Sequence, residues 1–303
     1  MGHRCSQNRE SKIENRKFQI DFVGIGASKC GTTWLGHILE EHPQLCLSEP
    51  KEVNFFNDLQ SFNTRNKQRH HKGLVWYRKF FTHCSEEKLK GEITNYYGVD
   101  PIAAIRIKEM NPDVKIIFCI RHPVERIWSH YQFAKYFEKK EKRTVQQALQ
   151  EENQYIRMSL YAQTLSLYLK HFHRDQIFLL WFEDISKRPE ILVQEIFSFL
   201  GVDPSFTPKT LHKKSNPARS SHYAPLQLLI RRFNTALAMI GLSGVIKKLK
   251  MAGLGNLVMS MTSKPIRKET IPEDVRQYII LQVKEDVHTL QRITGKDLSH
   301  WLQ

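Results

Sequence analysis

The stretch Phe22-Val-Gly-Ile-Gly26-Ala-Ser28-Lys29-Cys30-Gly31-Thr32-Thr33-Trp34-Leu35 decides the fold. The chain alternates from Phe18, turns apolar, and enters a glycine turn at Gly26, as a strand does when it ends inside a sheet. Thr32 to Glu41 then places Trp34, Leu35, Ile38 and Leu39 at helical spacing and stops before Pro43. Strand, glycine turn and helix form a cradle in which backbone N–H groups and the positive helix end receive an anion. Gly26 and Gly31 stand five apart, as in a phosphate-binding loop. A nucleoside triphosphatase would place lysine directly after the second glycine to reach a γ-phosphate. Here that position is Thr32, and the loop's lysine, Lys29, lies inside the turn.

Outward from this unit, strand and helix alternate. Leu45-Cys-Leu47 is a short strand, Gly73 to Cys84 an aromatic amphipathic helix, and Lys90 to Thr94 a second short strand. Asp100-Pro101 opens a helix to about Met110 with a cap and a proline at its first position. Val114-Lys-Ile-Ile-Phe-Cys-Ile-Arg121 is the strongest strand, and its near-continuous apolar run belongs at the centre of a parallel sheet. Pro123 starts a helix through about Phe137; helices follow at about 144–152 and 157–173. Gln176 to Phe182 is a buried strand, and Pro189 to Leu200 a helix closed by Gly201. Residues 203–223 read as a basic loop, and about 224–303 as a helical part with a break near Ser263 to Pro272. The fold class is α/β: a P-loop-like three-layer sandwich with a central parallel sheet flanked by helices. Residues 1–17 form a flexible tail, and 18–303 a single domain.

Of 303 residues, 41% are apolar and 25% charged, which rules out global disorder. With 46 Lys and Arg against 31 Asp and Glu, the net charge is +15 and the chain attracts anions. Five widely spaced cysteines without a C-x-x-C pair argue against a disulfide scaffold or zinc ribbon, and reduced thiols in a cytoplasmic protein fit best. The polar opening Met1 to Lys17 and the lack of an apolar run near 18 residues predict no leader and no membrane span.

A second anion motif follows the central strand: Arg121-His-Pro123-Val-Glu-Arg126-Ile-Trp-Ser129-His-Tyr131. Arg121 stands at the carboxyl end of the strand, where open α/β sheets bind ligands, and its fork together with the Ser129 hydroxyl can hold one anion. For Arg126 the alternative to a part in this motif is a solvated helix residue, and Trp128 and Tyr131 read as core.

Phe22 to Thr33, Glu49 to Phe56 and Ile116 to Tyr131 together resemble the sulfotransferases that use 3′-phosphoadenosine 5′-phosphosulfate (PAPS), closest to the heparan sulfate branch and its bacterial relatives. The resemblance spans about 18–205. It implies a 5′-phosphosulfate site at Lys29, Cys30, Gly31, Thr32, Thr33 and Trp34, and a 3′-phosphate site at Arg121 and Ser129. It further implies that Tyr161, in Ser159-Leu-Tyr161, lies near the adenine, and that Arg219, in Lys213-Lys214-Ser-Asn216-Pro-Ala-Arg219, belongs to a basic loop over the nucleotide.

The reaction so implied is in-line sulfuryl transfer to a hydroxyl or amine of a small-molecule or saccharide acceptor, with PAPS as co-substrate and no metal. The match makes Glu52, before Val53-Asn54-Phe55-Phe56, the base, with Glu49 second, and Lys29 the group that neutralises the leaving oxygen. Glu92 and Tyr97 stand in a segment resembling the acceptor side, but Ile93 replaces the lysine of heparan-type members. They either face the acceptor or pack at the sheet edge. Two other readings are a P-loop kinase-like phosphotransferase, for which no γ-phosphate lysine or magnesium site is evident, and a basic nucleic-acid-binding protein, for which no binding signature is present. The expected partners are therefore the nucleotide donor and the acceptor, not nucleic acid.

Overall fold

A computed structural model describes residues 18–58, 69–151, 154–213, 219–221, 263–265 and 269–303. The tail at 1–17, residues 214–218 of the basic loop and 222–262 of the C-terminal part lie outside them. The strands are β1 (Phe22–Gly26), β2 (Leu45–Leu47), β3 (Leu89–Ile93), β4 (Lys115–Ile120), β5 (Ile177–Trp181), β6 (Arg219–Ser221) and β7 (Ser263–Pro265). The helices are α1 (Thr32–Glu41), α2 (Gly73–Arg78), α3 (Pro101–Met110), α4 (Pro123–Gln132), α5 (Val145–Glu151), α6 (Gln154–Arg157), α7 (Tyr161–Leu169), α8 (Asp184–Lys187), α9 (Pro189–Leu200) and α10 (Glu273–Thr294).

Strands β1 to β5 form one parallel sheet in the order β2-β3-β1-β4-β5, flanked by helices. The apolar runs account for this: all five β1 residues and five of six in β4 are buried, as central parallel strands require. From β1 the chain builds toward β2 and β3, and from β4 toward β5 on the other side. The direction of winding therefore reverses between β1 and β4, the place where such sheets bind ligands. The glycine turn after Gly26 and the residues after Ile120 both emerge there.

Local chemistry sets the helix ends. The Asp100 carboxylate accepts the Ile102 N–H at 3.0 Å with Pro101 at the first position of α3, as the sequence predicts. Gly201, at φ 77°, closes α9. Several elements differ from expectation. Arg219–Ser221 and Ser263–Pro265, read as loop and break, pair as an antiparallel two-stranded sheet, and the helix expected over about 157–173 spans Tyr161–Leu169. The aromatic helix is shorter: a 3₁₀ turn His70–Lys72, then α2, then a 3₁₀ turn Lys79–Phe81. Helix α4 passes into a π-helical segment, Phe133–Phe137, a geometry concentrated at functional sites.

The reduced-thiol expectation is overturned. Cys46 of β2 and Cys84, 38 residues later, form a disulfide, while Cys30 and Cys119 are buried free thiols. Wide spacing concealed the pair because β2 and the end of the aromatic segment meet only in three dimensions. The cytoplasmic expectation loses its support with it, since stable disulfides belong to oxidising compartments. Among the described residues no helix is long and apolar enough to cross a membrane.

Candidate active site

The glycine turn is shaped by close approach. Gly31, at φ 91°, caps α1, and a Cβ there would stand 2.5 Å from Ile185 Cδ1. A Cβ on Gly26, at φ 115°, would stand 2.5 Å from the Asn95 carbonyl oxygen. Glycine is required at both positions. The first turn of α1 holds no acidic residue, so its N–H groups and positive end face no built-in anion.

Lys29 sits in the turn at φ 70°, with its ammonium over the Phe133 ring, 4.0 Å from the centroid. Burial, assisted by the nearby Arg121 charge, lowers its pKa to about 8. Arg121 donates to the Lys29 carbonyl at 3.4 Å, lies over the Phe182 ring at 4.4 Å, and pairs with Glu125 at 3.3 Å. The loop and the residue after β4 thus meet directly, 92 positions apart in sequence.

Burial decides against the solvated alternative for Arg126. It is 0% exposed, not solvated. One guanidinium nitrogen donates to the Tyr155 carbonyl at 2.5 Å, while Nε and Nη1 have no hydrogen-bond partner among the described residues. Its charge acts on both Lys29 and Cys30. A buried guanidinium with two unmet donors is costly unless an anion completes it. Ser159 Oγ is likewise buried and unmet.

Other candidates divide. Cys30 and Tyr161 are fully buried and touch each other, Sγ to hydroxyl 3.6 Å, and burial pushes the Cys30 thiol up to about 11. Thr32 is buried, and Thr33 and Ser129 are half-buried. Trp34 is a core residue whose indole N–H donates to the Leu211 carbonyl at 3.0 Å. Arg219 lies on β6, which pairs antiparallel with β7; its side chain is outside the described set. Trp128 and Tyr131 are core, as expected. His130 is buried against Tyr155, and burial holds its pKa far below the usual range, so it packs as a neutral ring.

Glu52 lies on the loop between β2 and α2 at φ 65°, with Asn54 at φ 57°. Its Oε1 accepts the Asn95 amide at 2.6 Å. Lys51 does not pair with it as a surface residue: the side chain is half-buried, its ammonium donates to the Thr32 carbonyl at 2.7 Å, and desolvation lowers its pKa. The Glu52 loop is therefore tied to the phosphate loop twice, through Lys51 to Thr32 and through Asn95 to Gly26. Sequence reasoning missed Lys51, Asn95, Phe133 and the burial of Arg126. The signal available for Arg126 was its place on a helix with apolar residues at 123, 124, 127, 128 and 131. Glu92 and Tyr97 are both buried, which decides for packing over acceptor contact. Among the described residues the grouping with metal-ligand proximity is Cys46, His83 and Cys84, two of which form the disulfide.

Sheet order and glycine loop define an α/β sandwich with its ligand edge at β1 and β4. Within that class the sulfotransferase domain family matches residues 19–221, most of the chain, and the chain belongs to it. It is 30% identical over 195 residues to the mouse heparan sulfate glucosamine 3-O-sulfotransferase 3A1, covering 61% of this chain and 46% of that protein. It is 35% identical over 117 residues to the membrane-associated sulfotransferase kil1 of Dictyostelium discoideum, covering 38% of this chain and 23% of that protein. The chain thus spans less than half the length of these relatives. The sulfotransferase of Alicyclobacillus acidocaldarius shares the fold, with a TM-score of 0.68 at 22% identity over 95% of this chain and 100% of that one.

Proposed function

We propose that this protein moves a sulfuryl group from PAPS to a hydroxyl or amine of a small-molecule or saccharide acceptor. The observation that carries the reading is the convergence of Lys29, Arg121 and a fully buried Arg126 with two unmet donors at the β1/β4 edge. A nucleotide with anionic groups at both its 5′ and 3′ positions fits that set: the 5′ end on the N–H groups of residues 29–33, the 3′-phosphate by Arg121 and Ser129. The buried guanidinium adds charge near Lys29, Cys30 and Arg121.

PAPS supplies the electrophilic sulfur. Glu52 takes the proton from the acceptor as its oxygen or nitrogen bonds to sulfur, and the bond from sulfur to the 5′-phosphate oxygen breaks. Lys29 neutralises the charge that develops on that oxygen. The anchored Asn95–Glu52 bond and the packed Lys29 ammonium are both preorganised for these tasks. Nothing here calls for a metal clamp or a γ-phosphate lysine, in keeping with Thr32 after the second glycine.

The test is a transfer assay with PAPS carrying labelled sulfate, pooled hydroxyl and amine acceptors, and excess EDTA. Transfer that persists in chelator and falls about 10²–10⁴-fold in Glu52→Gln, with adenosine 3′,5′-bisphosphate still bound, supports the reading. A strict magnesium requirement, or equal affinity for ATP and the bisphosphate, overturns it. A loss in Glu49→Gln in place of Glu52→Gln would move the base to Glu49.

A further inference from the structure

We infer that the carboxyl end of β3 is the socket that aims Glu52: Asn95 orients its carboxylate, and the buried Glu92–Tyr97 pair fixes the backbone of the loop that carries it. This rests on the reading of Glu52 as the base. Five hydrogen bonds with four residues, Ile93, Thr94, Asn95 and Tyr97, converge on the loop. The Glu52 N–H donates to the Ile93 carbonyl at 3.1 Å. The Asn54 N–H donates to Thr94 Oγ1 at 3.4 Å. The Asn95 amide donates to Glu52 Oε1 at 2.6 Å. The Tyr97 hydroxyl accepts both the Phe55 N–H, at 2.8 Å, and the Phe56 N–H, at 3.2 Å.

With both lone pairs so used, the Tyr97 hydroxyl has its own proton left, and it donates that to Glu92 Oε1 at 2.5 Å. Glu92 is 0% exposed, and burial pushes its carboxyl up to about 8. Its carboxyl also interacts with the Tyr77 hydroxyl, without a hydrogen bond of good geometry. A buried carboxyl is expensive, and its place in the molecule is to hold one phenol that holds two backbone amides. The loop needs such holding: Glu52 and Asn54 both adopt left-handed backbone, a conformation kept only where surrounding contacts over-determine it. The same strand end reaches the phosphate loop, since the Asn95 carbonyl packs against Gly26. One element therefore fixes the base relative to the donor cradle.

Asn95 and Tyr97 are positioning residues, so the test separates positioning from folding. In the full chain, Asn95→Ala is expected to lower kcat about 10–100-fold, while the KM for PAPS and the affinity for adenosine 3′,5′-bisphosphate stay near wild type. Tyr97→Phe is expected to do the same and also to speed hydrogen exchange of the 52–57 amides. Glu92→Gln, which keeps an acceptor for the Tyr97 hydroxyl, should cost less than Glu92→Leu. Unchanged kcat in Asn95→Ala, or unchanged exchange over 52–57 in Tyr97→Phe, overturns the socket. The exchange experiment needs no turnover, so absent sulfuryl transfer in the wild type would count against the proposed function while exchange still decides the socket.

Discussion

Both residues proposed for the chemistry sit in a backbone region that side chains avoid. Lys29 has φ 70° and Glu52 φ 65°. Left-handed backbone costs an ordinary residue roughly 1–2 kcal/mol, and strain of that kind collects where function has fixed a geometry. Glu52→Ala and Glu52→Gly both remove the carboxylate and its bond to Asn95, so their difference isolates the backbone. Glycine loses about 0.5–1 kcal/mol to unfolded-chain entropy, less than it recovers, and urea denaturation should find Glu52→Gly more stable than Glu52→Ala by several tenths to about 1 kcal/mol. An alanine variant as stable as the glycine one would remove the strain. Lys29 supplies a pH test. Its lowered value near 8 means that burial and the Arg121 charge favour the neutral amine more than water does. Anionic phosphate restores the ammonium, so nucleotide binding near pH 8.5 should take up protons and binding at pH 6.5 should not. Calorimetry in two buffers of different ionisation enthalpy reads this, and Lys29→Met should abolish the uptake.

Among the elements, α10 has a placement that its own amphipathic pattern does not explain. Its Asp286 is 8% exposed and accepts the backbone N–H groups of Ala162 and Gln163, at 2.9 and 3.0 Å, at the start of α7. One helix thus caps another across 124 positions, and the capped helix begins at Tyr161, beside Cys30. The two N–H donors favour the carboxylate, but burial outweighs them and raises Asp286 to about 6. The folded group then holds a proton that the unfolded group, near 3.8, has released. Its effect on stability is most favourable below about pH 4, falls as pH rises to about 6, and is level above. The advantage of Asp286→Asn over wild type should grow across that window, by at most about 3 kcal/mol, on top of a constant offset from the altered cap. Denaturation midpoints at pH 4, 5, 6 and 7 measure it, and a pH-independent difference would mean that the carboxylate is not desolvated.

At the scale of the whole molecule, what was legible in the sequence was local. The β1 turn, the β4 strand and the α3 cap each announce themselves within a dozen residues, and the parallel sheet follows from their alternation. The contacts that build the site do not: Asn95 meets Glu52 across 43 positions, Arg126 meets Tyr155 across 29, and Cys46 meets Cys84 across 38. Periodicity reports which face of an element is buried, not what it is buried against, so a solvated place for Arg126 stayed open and a disulfide read as two free thiols. That disulfide joins β2 to the end of the aromatic segment, whose Tyr77 stacks on Phe55 with ring centroids 4.4 Å apart, next to the Glu52 loop. Closing a loop of this length restrains the unfolded chain by roughly 2–4 kcal/mol. Reduction, or Cys84→Ser, should therefore lower the unfolding free energy by about that amount. On the proposed reading, in which the acceptor meets Glu52, the loss should loosen the Glu52 loop more than the donor cradle, because the bridge lies on the β2 edge, two strands from β1. Acceptor KM should accordingly rise while affinity for adenosine 3′,5′-bisphosphate stays close to that of the oxidised protein. Equal losses of both would show that the bridge supports the whole sheet and not the Glu52 loop alone, and an unchanged unfolding free energy would show that the two thiols are not joined in solution.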